Sequence, residues 1–164
     1  MDSAPTTDPN WSRRLLFAAI VIALVLGGGL IASATIPRWW AQRIGDQVDG
    51  SIVTGVFIGL FYGFVFTALP LLSLAAVARW RRAPRAIAVA VVFALILAIP
   101  NLMTLGIVLG TGNAAHAGER ILDVEAPAFR GASLVGALIA LAMAAFVAYL
   151  MVSRERARRP RETT

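Results

Sequence analysis

Four stretches of this chain contain no Asp, Glu, Lys, Arg or His: Leu15–Pro37, Ser51–Ala78, Ala86–Ala115 and Gly131–Ser153. Each is long enough to cross a hydrocarbon core about 30 Å thick as an α-helix, which takes roughly 20 residues. Within lipid a helix satisfies its own backbone, whereas a barrel needs short alternating strands that these continuous runs do not show. A chain of 164 residues that is 59% hydrophobic also exceeds what a water-soluble domain of this size hides. The expected fold is therefore an all-α integral membrane protein. It has four transmembrane helices, at about 14–36, 51–78, 85–109 and 131–153, in an up-down bundle.

The distribution of arginine orients the expected bundle. Arg13 and Arg14, then Arg79, Arg81, Arg82 and Arg85, then Arg154, Arg156, Arg158, Arg159 and Arg161 fall on one side. Only Arg38, Arg43, Arg120 and Arg130 fall on the other. Basic residues in short loops mark the cytoplasmic face. Both termini are expected there, with residues 1–13 as a cytoplasmic segment and residues 154–164 as a basic cytoplasmic tail. The formal net charge of +6 thus reads as a topology signal with attraction to anionic lipid headgroups, not as a nucleic-acid surface. All fifteen basic residues are Arg and alanine is abundant, a usage expected of a GC-rich bacterial genome. The expected location is the bacterial cytoplasmic membrane.

The twin arginines before Leu15 resemble the start of an export signal, and Ala32-Ser33-Ala34 resembles a small-residue cleavage site. The apolar run is longer than the 7–15 residues of a signal core, so a retained signal-anchor helix is the preferred reading.

Within the second span, Ser51, Gly55, Gly59, Gly63 and Thr67 recur every four residues. Glycine weakens a helix in water by about 1 kcal/mol relative to alanine, so a row of three needs a purpose. In lipid, small residues let two backbones approach and gain van der Waals contact, the logic of GxxxG pairs. Similar rows are Ala19, Ala23 and Gly27 in the first span, Ala86, Ala90, Ala94 and Ala98 in the third, and Ala132, Gly136, Ala140, Ala144 and Ala148 in the fourth. The partner of the glycine row is either the fourth span of the same chain or the second span of a neighbour. Pro70 and Pro100 each remove a backbone donor and bend their helices. Thr67 and Ser73 beside Pro70, and Asn101 and Thr104 beside Pro100, are placed to satisfy groups freed there. Asn101 is expected to bond another helix or face a wet cavity.

Chemistry is sparse. No span carries an ionisable residue, which argues against a proton-driven pump. The chain has no cysteine, and no phosphate loop, nucleophile constellation or metalloprotease motif is present. No cofactor or metal is expected. Residues 38–50 are read as a solvated loop in which Asp49 or Ser51 caps the next helix. The alternative is a short surface helix laying Trp40, Ile44 and Val48 on the membrane. Residues 110–130 are read as a long loop holding His116, Glu119, Asp123 and Glu125, a weak metal-ligand pattern against which a solvated loop is preferred. Its length and its apolar Ile121, Leu122, Val124 and Phe129 lead to the expectation that it folds back over the external mouth or meets a partner. The expected role is non-enzymatic: an accessory or scaffold component that packs with itself or another membrane protein. The alternative is a small oligomeric permease or channel for an uncoupled solute.

Overall fold

The computed structural model describes residues 9–79 and 84–158. Arg81, Arg82, Arg159 and Arg161 of the orientation argument lie outside these. The described residues form five α-helices: α1 Pro9–Val48, α2 Ile52–Arg79, α3 Pro84–Leu109, α4 Asn113–Glu125 and α5 Phe129–Arg158. Four of them, α1, α2, α3 and α5, are long and apolar enough to cross a membrane.

Two segments read as loops are helical. α1 continues through Pro37 to Val48 for 40 residues. Its last turns bury Trp40, Ala41, Ile44 and Val48, a helical spacing that gives one apolar stripe. That stripe meets protein: the buried cluster around it includes Ile107 of α3, Leu122 of α4 and Phe129 of α5. Neither the solvated loop nor a face laid on the membrane describes it.

Residues 110–130 are likewise not a solvated loop. α4 occupies their centre and buries Ala114, Ala115, Gly118 and Leu122, again one face. Gly118 faces the carbonyl of Pro37, 3.1 Å from where a Cβ would stand, so α4 crosses α1 with backbones close together.

Tight turns fix this end of the molecule. Between α1 and α2, Asp49 and Gly50 both take positive φ, 50° and 69°, and the Gly50 amide donates to the Glu125 carbonyl at 2.8 Å. The Thr54 amide donates to Ser51 Oγ at 3.3 Å, making Ser51 the cap of α2. Between α4 and α5 the chain turns at Ala128, with φ 65°. The core therefore sits at the end remote from both termini, where the ends of α1, α3 and α4 meet the starts of α2 and α5.

The opposite half of α1 is bare. None of the 18 residues of its most apolar window is buried, and Gly27, Gly28 and Gly29 have no neighbour within 4 Å of an added Cβ. Among the described residues the row Ala19, Ala23 and Gly27 thus joins no seam.

Candidate functional site

The glycine row of α2 packs against α5 of the same chain. A Cβ on Gly55 would run into the carbonyl of Pro127, and one on Gly63 into the carbonyl of Ser133. At Gly59 it would stand 2.6 Å from the Phe129 carbonyl oxygen and 2.8 Å from Ala132 Cβ. Gly136 of α5 answers from the other side, its Cβ position 2.5 Å from the Leu60 carbonyl oxygen and 2.9 Å from the Phe64 nitrogen. Only hydrogen fits at these four positions. The glycine Cα–H groups then point at carbonyl oxygens, a weak favourable contact that recurs at helix interfaces.

Ser51, at the head of the row, serves as the helix cap. Ala140 is buried and, with Ala144, Phe64, Leu71 and Val147, lines a groove of about 330 Å³ between the two helices.

Asn101 joins α3 to α2. Its side-chain amide donates to Thr67 Oγ1 at 2.8 Å and to the Gly63 carbonyl at 3.2 Å. The carbonyl at Gly63 accepts only, so the amide orientation is fixed. Asn101 Oδ1 is buried and has no hydrogen-bond partner among the described residues. Beside it, Asn101, Thr67, Thr104, Ser133 and Arg130 border a cavity of about 370 Å³.

The residues flanking the two prolines divide their work. Ser73 Oγ donates to the Pro70 carbonyl at 2.7 Å, and Thr104 Oγ1 to the Pro100 carbonyl at 3.1 Å. Thr67 and Asn101 pair across helices instead. Thr104 Oγ1 also accepts from the indole nitrogen of Trp40 at 3.0 Å, tying α1 to α3 within the core. The Trp40 ring meets Tyr62 at 5.9 Å between centroids, and Tyr62 meets Phe129 at 6.1 Å.

At the remote end, Arg130 donates to Glu119 Oε1 at 3.0 Å and to Asp123 Oδ1. His116 Nδ1 lies 3.4 Å from Glu119 Oε2. Arg130 thus occupies two of the four residues considered as metal ligands, and Glu125 lies against Gly45 of α1. Among the described residues no group of three or more His, Cys, Asp or Glu side chains converges.

Sequence reasoning passed over Arg130 as a clamp and Gly118 as a crossing point. A signal for the second existed: Ala114, Gly118, Leu122 and Ala126 repeat every four residues, but glycine and alanine there read as loop composition. Compared with protein-family models, curated proteins and solved structures, the chain matches none.

Proposed function

We propose that this chain is a non-enzymatic integral membrane protein of the bacterial cytoplasmic membrane. It acts as a helix-packing scaffold or accessory component, with both termini cytoplasmic. The observation that carries the reading is the bare half of α1. Among the described residues the other helices pack on one another or on the end of α1, whereas Leu15 to Ile31 buries no side chain and carries three adjacent glycines with open space around them. Small residues on a free apolar helix favour close approach by a second helix. The occupant is a second copy of the chain or a larger membrane complex that accepts α1.

Native mass spectrometry in mild detergent tests this. The wild-type chain assembles, and Gly28→Leu, which meets nothing within the chain, reduces assembly without lowering thermal stability. A wild-type protein that stays monomeric, with nothing co-purifying, contradicts the proposal.

One observation favours a second reading, a small oligomeric permease for an uncoupled solute: the unpaired Asn101 Oδ1 beside a polar-edged cavity. Proteoliposomes whose permeability to small polar solutes matches that of protein-free vesicles remove it. Raised permeability that Asn101→Ala abolishes supports it.

A further inference from the structure

A groove of about 680 Å³ runs between α1 and α3 and ends under the first turn of α4. Its walls are apolar or small, among them Ala34, Pro37, Leu102 and Gly106, and this volume is within the range of sites that hold small molecules. The polar features lie at its end. Arg38 borders the groove, and its guanidinium donates only to the Ala34 carbonyl, at 3.3 Å. Among the described residues no carboxylate pairs with it.

Asn113, Ala114 and Ala115 open α4 and also border the groove. The cap residue Gly112 supplies no side-chain acceptor, and the first turn holds no acidic residue. The amides of a helix's first turn have no partner in their own helix and carry partial positive charge. A cation and a set of amide donors without partners in their own helix thus border the same apolar groove.

The depth of this end matches a lipid headgroup. Arg38 directly follows the uncharged run Leu15–Pro37 and directly precedes Trp39 and Trp40. At 1.5 Å per residue that run spans about 35 Å, and paired tryptophans mark the interface between hydrocarbon and water.

From the groove, the unpaired arginine and the uncapped helix we infer that the α1–α3 groove is a binding site for an anionic phospholipid. An acyl chain lies between α1 and α3, and the phosphate is held between Arg38 and the first turn of α4. The site belongs to the leaflet remote from the chain termini. It is distinct from the arginine-rich segments at the other end.

Three substitutions test this without disturbing the fold. Gly112 has extended backbone, φ −82° and ψ 159°, and open space where a Cβ would stand. Gly112→Asp therefore installs a carboxylate cap on the amides that would hold the phosphate, and it raises thermal stability. Arg38→Gln removes the cation. Gly106 has nothing within 4 Å of an added Cβ, so Gly106→Leu fills the channel.

The readout is native mass spectrometry of the full chain with added phosphatidylglycerol or phosphatidylcholine carrying the same acyl chains. The wild type prefers phosphatidylglycerol by about five- to tenfold, the scale of a charge interaction at a helix end combined with an arginine. Gly112→Asp and Arg38→Gln each bring that preference to near parity, and Gly106→Leu lowers occupancy by both lipids. The inference is overturned if the wild type shows no preference, or if either headgroup variant keeps it in full. The second result assigns the preference to the arginines at the termini. Wild-type occupancy by both lipids in Gly106→Leu equally overturns it.

Discussion

The Asn101 amide donates to Thr67 Oγ1 at 2.8 Å, a side-chain hydrogen bond between α3 and α2. Thr67 stands one turn beyond Gly63, whose carbonyl takes the second proton of the same amide. The residue that ends the glycine row therefore fastens a third helix to the α2–α5 pair. Interhelical hydrogen bonds in membranes average about 0.6 kcal/mol and reach about 1.7 kcal/mol. Asn101→Ala is expected to cost about 1 kcal/mol, because removing the unpaired Oδ1 offsets part of the loss. Unfolding by denaturing detergent measures it. A double-mutant cycle with Thr67→Ala gives a nonzero coupling, and full additivity would contradict the pairing.

The seam between α2 and α5 makes the sharpest demand on sequence. At Gly63 even a methyl group meets the Ser133 carbonyl, and backbone cannot rotate away as a side chain can. Gly63→Ala is expected to destabilise by about 3 kcal/mol, at the upper end of ordinary overpacking. Gly28→Ala, with open space around it, leaves stability unchanged. Thermal unfolding of the two variants side by side checks both values.

Trp40 is buried and its indole N–H ends on Thr104. Trp40→Phe keeps most of the apolar contact but deletes the donor, for an expected loss of about 1–1.5 kcal/mol. Trp40→Ala also opens a cavity and is expected to cost about 3–5 kcal/mol. Urea or detergent titration of both variants separates the hydrogen bond from the packing.

Residues 10–31 contribute no buried side chain to the core. A chain lacking residues 1–34 is expected to unfold at the same temperature as the full chain, while no longer assembling. Intact-mass measurement on the membrane-extracted protein is expected to show residues 1–34 retained. A product beginning at Thr35 would show that Ala32-Ser33-Ala34 is cut.

Long uncharged runs made the four apolar helices legible, because apolar length is a property of sequence alone. The glycine row announced a close approach, but its partner depended on α5 running parallel to α2 from the same end of the molecule, which no local pattern encodes. The remote end was misread for a different reason. α1 continues past Pro37, where proline usually stops a helix, and the turns beyond it bury Trp40, Ala41, Ile44 and Val48 in the core. α4 has only 13 residues, a length at which an isolated helix is marginal, so its helical form rests on packing against α1. The Arg130 clamp closes over 7 and 11 residues of separation, across a turn whose course only the folded chain reveals.

The scaffold reading stands on α1 finding a partner outside its own chain. The sequence has no cysteine, so Gly28→Cys introduces a single thiol on the bare half of α1. Leu134→Cys places one on an exposed face of α5 as a control. Oxidative or bismaleimide cross-linking in native membranes is expected to trap Gly28→Cys as a product of twice the chain mass, or as one defined larger complex, with Leu134→Cys remaining monomeric. If both thiols cross-link equally, or if Gly28→Cys is alkylated completely without forming any higher species, α1 has lipid alone for a neighbour and the scaffold account is contradicted.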